Sequence, residues 1–405
     1  MKKIFYLLPL LAIGACHNPQ GEDQTRLDDP LEITAQEFGG DSLYQFGEQK
    51  FVDFNLKVNE AGRYKVELMA KGGDSAKLWV EDYIQNTDDR SYNITGMLRP
   101  SGQMALSTIV GSPLDTGTHP MRLHLAQGTA SIKSLKFTLV KKLQETPNFH
   151  KQNMEGEDWE LVWSDEFDGS GLPDTTKWSY NIGNWGWGNN EPQFYTENRI
   201  ENARQENGNL IIEAHKNDMG QAWTSARLST QGKHAFTYGK IEFRAKVPAG
   251  RGTWAAGWLL GDAYRDEISW PYCGEIDVLE TVGYEIDDST GSGLNHATCH
   301  TRAYYFKQGN QIGSEIEIDS MDTKFHTYAI QWYPDRIEAY LDGEYYFTYD
   351  KNANDLEWPF HNPQNIIINL AVGGGWGGAQ GIDPSFEKHQ YILDYVRVYQ
   401  AKASE

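Results

Sequence analysis

The chain has 405 residues and a formal net charge of −21 at pH 7, with 40 Gly, 13 Trp and 22 Tyr. This length favours two domains over one, and the Gly and aromatic content favours strands and turns over helices. The negative charge excludes nucleic acid as an expected partner, because a phosphate backbone needs a positive surface. A neutral polymer such as a polysaccharide is compatible with it.

The N-terminus has the pattern of a targeting segment. Two lysines precede an apolar run over residues 4–13, too short to span a bilayer, and the run ends in Ile-Gly-Ala-Cys at Cys16. This resembles the bacterial lipoprotein signal, in which the Cys becomes the lipidated mature N-terminus. We expect a signal peptide over 1–15, a lipid anchor on Cys16 and a tether over 16–30. The protein would then face the cell surface or the periplasm from the bacterial outer membrane. The alternative is a plain secretory cleavage after Ala15.

Residues 31–140 alternate between apolar and polar side chains in short runs separated by turn residues, for example 51–56 and 64–68. Such alternation indicates strands with one buried face, and predicts a β-sandwich module. Its strand framing is similar to that of carbohydrate-binding modules. Three aromatic residues could stack on sugar or lie in the core, so glycan binding and a spacer role both stay open: Trp79, Tyr83 and Tyr92.

A polar stretch over 141–158, with Pro147 and Gly156, predicts a linker. Twelve of the thirteen Trp follow it, between Trp159 and Trp376. A pyranose ring presents an apolar face that stacks on an aromatic plane, so this density favours a sugar-binding cleft. The alternative is a large aromatic core.

Three acids fall within six residues in the segment 274–280, GEIDVLE. The branched residues favour a strand, on which Glu275 and Asp277 share one face. Strict alternation would send Glu280 into the core, where an unpaired carboxylate is very unfavourable. One extra residue, a β-bulge between Asp277 and Glu280, returns Glu280 to the acidic face. The acids therefore predict the bulge.

Paired carboxylates on one face suit glycoside hydrolysis. Retention of configuration uses two carboxyl groups roughly 5–5.5 Å apart, a nucleophile and an acid/base. Asp277, between the two glutamates, would orient the nucleophile and raise the pKa of the acid. The alternative is an acidic, solvent-exposed strand face.

These acids, with motifs on either side of them, resemble glycoside hydrolase family 16 in its laminarinase-like branch. The matching segments span residues 159–400 in the family's order: 163–169 (WSDEFDG), 189–196 (NNEPQFYT), 224–228 (TSARL), 238–242 (YGKIE), 325–328 (FHTY), 341–343 (LDG), 369–374 (NLAVGG) and 394–399 (DYVRVY). The resemblance implies an all-β chain whose catalytic domain, over 159–401, is a jelly-roll β-sandwich with an open cleft.

The resemblance also implies an endo-acting, retaining hydrolase of β-1,3-glucan, which would extend to mixed-linkage β-1,3-1,4-glucan. Glu275 would be the nucleophile, Glu280 the acid/base and Asp277 the assisting residue. Expected sugar contacts are Trp254, Trp258, Arg227, Asn190, Glu191 and His300. Ala255 stands where the family usually has Pro, which puts local rigidity in doubt. Trp187 and Trp376 lie in Gly-rich loops, which favours exposed stacking platforms.

Family members often bind a structural Ca²⁺, and its ligands map to the backbone carbonyls of Glu166 and Gly208 and the side chain of Asp394. Oxygen ligands suit this ion; the alternative is an N-terminal strand held without metal.

We expect no cofactor for catalysis and a monomer. Cys273 and Cys299 could pair or act as small buried hydrophobes.

Two other functions stay open. The same fold could act on another polysaccharide such as a galactan, because loops and not fold set specificity. A surface glycan-binding protein without catalysis is the second, and the intact acids count against it.

Overall fold

The computed structural model describes residues 30–73, 75–82, 92–114, 116–142, 158–264 and 270–401. The signal peptide, Cys16, residues 16–29 of the tether, residues 143–157 of the linker and Tyr83 lie outside the described residues. Within the described ranges, no helix has both the length and the apolar character needed to cross a membrane.

Up to Lys142, the described residues form two sheets. One has the order β1-β9-β4-β7, with β2 also on β9, and the other has the order β3-β8-β5-β6. The strands are Leu31–Thr34 (β1), Tyr44–Gln45 (β2), Phe51–Val58 (β3), Gly62–Gly72 (β4), Lys77–Asp82 (β5), Tyr92–Asn93 (β6), Ala105–Leu114 (β7), Gly117–Gln127 (β8) and Ala130–Lys142 (β9).

Alternate residues of these strands form one apolar core, which includes Val66, Leu68, Leu123 and Leu135. Burial of every second residue is the pattern of a strand with one face on a core. Trp79 is half-buried and lies parallel to the ring of His124, with 3.9 Å between centroids. Glycan binding by this part of the chain stays a prediction.

From Trp159 onward the described chain forms two larger sheets around a second core, as the all-β, jelly-roll prediction requires. Their strands pair antiparallel except for β12 and β15, which pair in parallel. Three 3-10 turns interrupt the strands in the described part: Gly283–Glu285, Phe306–Gln308 and Pro359–His361. The strands are Trp159–Asp165 (β10), Ser179–Tyr180 (β11), Gln193–Tyr195 (β12), Ala203–Glu206 (β13), Asn209–Asp218 (β14), Gln221–Ser225 (β15), Arg227–Ser229 (β16), Gly239–Lys246 (β17), Thr253–Gly261 (β18), Glu275–Val282 (β19), Gly293–His300 (β20), Ile312–Ile318 (β21), His326–Trp332 (β22), Ile337–Leu341 (β23), Glu344–Tyr349 (β24), Gln364–Val372 (β25) and Lys388–Ala401 (β26).

One sheet has the order β12-β15-β14-β26-β17-β22-β23-β24, with β10 on β26 and β13 on β14; the other has the order β11-β16-β25-β18-β19-β20-β21. Strand β25 lies inside the second sheet and is buried at every position. Ile366, Ile368 and Leu370 belong to the core between the sheets. Asn365 and Asn369 alternate with them, and so point to the opposite face. That face carries the candidate site.

Both remaining cysteines are buried and unpaired. Cys299 packs in the core between the sheets, and Cys273 packs beside Leu260 and Ile367. The structure therefore supports their interpretation as small buried hydrophobes.

Candidate active site

The predicted bulge is present in β19. Along the pairing of β18 with β19, Gly257 lies opposite Leu279 and Trp258 lies opposite Asp277, so Val278 is the extra residue. Val278 and Leu279 are consecutive, yet both pack in the core. Because the extra residue shifts the alternation of side chains, Glu280 points to the same face as Asp277. The Glu280 side chain is half-buried there and does not enter the core.

Gly274 sets the start of β19. It has φ +78°, and a Cβ there would lie 2.7 Å from Cγ of Pro359. Any other residue would be strained by the backbone angle and by this contact. The strand therefore begins at Glu275 in a position that only glycine allows.

Burial dominates the electrostatics of the acids. It raises the pKa of Glu280 to about 8, and the charge of Glu275 adds to that rise. Burial also raises the pKa of Asp277 well above its usual range, with smaller contributions from Glu280 and Glu275. With a pKa of about 8, Glu280 keeps its proton near neutral pH, as a general acid requires.

Each glutamate accepts a hydrogen bond from a tryptophan. Nε1 of Trp254 donates to Oε1 of Glu280 at 3.0 Å, and Nε1 of Trp270 donates to Oε2 of Glu275 at 2.8 Å. Sequence reasoning left Trp270 without a role. The sequence does place Trp270 only five residues before Glu275, in a Trp-Pro step outside any strand, and this closeness could have indicated a contact between them.

His300 lies opposite Glu275 on β20. Its Nε2 is 3.5 Å from Oδ2 of Asp277 and 4.0 Å from Oε1 of Glu275. Burial lowers the pKa of His300 to about 4, so the imidazole is neutral near pH 7. Only 8% of His300 is exposed, and its ring also lies beside the rings of Trp270 and Phe306. Its contact with sugar stays a prediction.

Trp258 and Arg227 form one cluster on the face of the acids. The guanidinium carbon of Arg227 lies 4.8 Å from the ring centroid of Trp258, and its Nε donates to Oδ1 of Asn181 at 3.1 Å. Nε1 of Trp258 donates to Oδ1 of Asn369 at 2.8 Å. The indole is thereby held in place, with its ring available to a sugar face.

Trp187 is not the exposed platform that its Gly-rich loop predicted. Only 8% of it is exposed, and its Nε1 donates to the carbonyl of Gly183 at 3.1 Å. Its ring packs against Tyr195 and under Arg227. The exposed aromatic of this loop is its neighbour Trp185, at 55%.

Trp376 is half-buried and meets Trp254 edge to face, with 5.5 Å between centroids. Asn190 is exposed at the tip of its loop, with φ +57°. Glu191 is buried, and its two oxygens accept hydrogen bonds from the side chains of Asn189 and Gln193. Glu191 therefore supports the loop, and its predicted sugar contact stays a prediction, as does that of Asn190.

Comparison with known proteins agrees with this geometry. The sequence model of the family described as glycosyl hydrolases family 16 matches residues 190–397. A beta-glucanase from Rhodothermus marinus is 49% identical over 249 residues, covering 60% of this chain and 85% of that protein. The chain belongs to glycosyl hydrolases family 16. It is therefore a glycoside hydrolase, and the laminarinase-like resemblance of its sequence is confirmed.

Two further comparisons show how much of the chain the likeness covers. The X-ray structure of the laminarinase from Rhodothermus marinus aligns with a TM-score of 0.57 at 47% identity, covering 61% of this chain and 99% of that one. A glucan endo-1,3-beta-glucosidase from Cryptopygus antarcticus is 36% identical over 259 residues, covering 59% of this chain and 91% of that protein.

Among the described residues of this family 16 chain, two sets bear on metal binding. Donor atoms of Glu275, Asp277 and His300 lie within 4.8 Å of one another. The Ca²⁺ site predicted from the sequence is a different set, Glu166, Gly208 and Asp394, and the strand register brings these residues into one region. Strand β26 pairs with β14 up to Leu393 and with β10 from Val396 on. Residues 166 and 208 flank those partner strands, so both lie near the gap at Asp394.

The Asp394 carboxylate is already engaged at that gap. It forms an ion pair with Arg244 of β17. Glu166 forms a bidentate pair with Arg397, which lowers the pKa of the Glu166 carboxyl. Two guanidinium groups beside the predicted ligands weaken the case for a divalent cation. Strand register brings these backbone segments into one region, whereas the local charge opposes a cation, so Ca²⁺ stays a prediction.

Proposed function

We propose that this family 16 enzyme is a retaining endo-hydrolase of β-1,3-glucan that works by double displacement. The observation that carries the proposal is the bulged strand, which puts Glu275, Asp277 and Glu280 on one face and gives Glu280 a pKa of about 8. The relatives named beta-glucanase, laminarinase and glucan endo-1,3-beta-glucosidase support the substrate.

In the first step a carboxylate oxygen of Glu275 attacks the anomeric carbon, and the bond from that carbon to the glycosidic oxygen breaks. Glu280, protonated at neutral pH, gives its proton to the departing oxygen. The chain beyond the cut leaves, and the remaining sugar is held as an ester of Glu275. The hydrogen bond from Trp270 keeps the Glu275 carboxylate oriented for the attack.

In the second step Glu280, now ionised, takes a proton from water, which attacks the anomeric carbon and breaks the ester bond to Glu275. Two inversions return the β configuration. The charge of Glu275 raises the pKa of Glu280 before the first step. Ester formation removes that charge, so the pKa of Glu280 falls when it must act as a base.

Product analysis tests this proposal. Wild-type protein should release a ladder of oligosaccharides from laminarin, and Glu275→Gln should release none. Barley β-glucan and a galactan in parallel assays separate the β-1,3-glucan, mixed-linkage and galactan alternatives. Binding to laminarin without any cleavage by the wild type would instead favour the non-catalytic glycan-binding alternative.

We also propose that Cys16 carries a lipid anchor, which would hold the enzyme at the bacterial envelope. The support is the Lys-rich start, the short apolar run and the small residues before Cys16. Expression in a bacterial host with labelled palmitate should label the wild type and not Cys16→Ser. Label on neither protein would favour plain secretory cleavage.

A further inference from the structure

The hydrogen-bonded ladder between β19 and β20 stops at the bulge. The pairs are Glu275 with His300, Ile276 with Cys299 and Asp277 with Thr298, and there the pairing ends. Both strands continue, since β20 pairs with β21 back to Gly293. The backbone of β19 beyond Asp277 therefore needs other partners on this edge, because buried peptide groups are almost always hydrogen-bonded.

The side chain of Asn295, on β20, supplies those partners. The backbone amide of Glu280 donates to Oδ1 of Asn295 at 3.0 Å, and Nδ2 of Asn295 donates to the carbonyl of Val278 at 3.1 Å. A second hydrogen on Nδ2 goes to the hydroxyl of Tyr346 at 3.0 Å. Asn295 is completely buried, so all three bonds are shielded from water.

The amide spans the bulge. It binds Val278, the extra residue, and Glu280, and it skips Leu279 between them. A side-chain amide has one acceptor and one donor group in the geometry of a peptide, so it replaces the missing ladder step. A regular strand at this point would turn Glu280 toward the core.

We infer that Asn295 is a positioning residue for catalysis, whose side-chain amide holds the bulge and thereby places Glu280 beside the leaving oxygen. This inference rests on the proposed function, in which Glu280 is the acid. Asn295 itself touches no sugar in this account and acts only through Glu280.

The test compares Asn295→Leu with wild type on two substrates. Laminarin has a poor leaving group that needs the acid, whereas a 2,4-dinitrophenyl β-laminaribioside has a leaving group that needs little protonation. Since kcat/KM reports the first bond cleavage, we expect a fall of about 100-fold on laminarin and of less than about 5-fold on the aryl glycoside. An equal fall on both substrates would mean a general structural role and would overturn the inference.

Tyr346→Phe is the matched control, since it removes the third hydrogen bond and leaves both bonds to the bulge. It should keep the wild-type ratio of the two kcat/KM values. If it changes that ratio as much as Asn295→Leu does, the effect does not come from the bulge. If wild type cleaves neither substrate, the proposed function fails, which is a different outcome from an equal fall.

Asn295→Asp keeps the test decisive if Asn295→Leu fails to fold. A neutral carboxyl has one donor and one acceptor and keeps both bonds to the bulge, whereas an ionised one cannot donate to Val278. We expect activity on laminarin within about 5-fold of wild type at pH 5, and a progressively larger deficit at higher pH. A deficit that is already present at pH 5 and is the same at every pH would overturn the inference.

Discussion

Replacing Glu280 by Gln should make the protein more stable at pH 8, although it removes the proposed acid. Burial raises the pKa of Glu280 from its usual 4.5 to about 8. Between these values the folded state keeps a proton that the unfolded chain has lost. The stability that the neutral carboxyl provides is therefore complete below pH 4.5 and is lost as pH rises toward 8. A Gln side chain is neutral at every pH, so the Glu280→Gln protein does not lose this stability as pH rises.

The magnitude follows from the two pKa values. At 1.36 kcal/mol per pH unit, a rise from 4.5 to about 8 corresponds to about 5 kcal/mol. Glu280 is half-buried and keeps some contact with solvent, so water screens part of that energy, and we expect Glu280→Gln to gain about 2–4 kcal/mol over wild type at pH 8. The gain should vanish near pH 4.5.

Urea unfolding at pH 4.5, 6 and 8, followed by Trp fluorescence, measures this difference. Twelve of the thirteen Trp lie between Trp159 and Trp376, so the signal reports unfolding of the part of the chain that contains Glu280. Glu344→Gln, at an exposed position of β24, is the control and should differ from wild type by less than about 0.5 kcal/mol at every pH. A Glu280→Gln protein that gains nothing between pH 4.5 and 8 would mean that the pKa of Glu280 is the same in the folded and unfolded states.

Four other outcomes are expected. Glu275→Gln should lower turnover of laminarin by at least about 10⁴-fold with an unchanged Tm, measured by reducing-sugar release; a smaller loss would remove Glu275 as the nucleophile. The kcat/KM profile should fall on its basic side near pH 8, and Trp254→Phe should move that fall to higher pH, because the lost indole donor holds the pKa of Glu280 down. Trp270→Phe should lower kcat by roughly 10-fold or more, since it removes a hydrogen bond to a charged nucleophile. EDTA should leave turnover unchanged. If Ca²⁺ binds near Asp394, EDTA should lower the Tm of the protein and added Ca²⁺ should restore it. A Tm that does not change with EDTA would exclude that site.

The bulge could be predicted from sequence because its cause is local. Acids at positions 275, 277 and 280 cannot all share a face on a regular strand, because side chains alternate between the two faces and position 280 lies an odd number of residues from the other two. Burying Glu280 unpaired is too unfavourable to be an alternative. The extra residue therefore had to lie between Asp277 and Glu280, and the structure identifies it as Val278. The all-β fold followed from alternation and turn residues in the same local way.

The contacts that hold the site in place were not predictable, because they join residues distant in sequence. Asn295 reaches Glu280 across fifteen positions of chain, and its neighbours carry no pattern that marks it. Trp187 was assigned wrongly for a related reason. Glycines around a Trp indicate an open loop, but they do not show that the carbonyl of Gly183 and the guanidinium of Arg227 bury the ring.

The central claim is that Glu275 forms a covalent bond to the sugar. A 2-deoxy-2-fluoro β-laminaribiosyl fluoride forms the ester quickly and releases it slowly, so mass spectrometry of the labelled, digested protein locates the attachment. We predict one laminaribiosyl group per chain on the peptide that carries Glu275, and none on Glu275→Gln. Attachment at Glu280, or a first hydrolysis product in the α configuration with no attachment at all, would contradict the account.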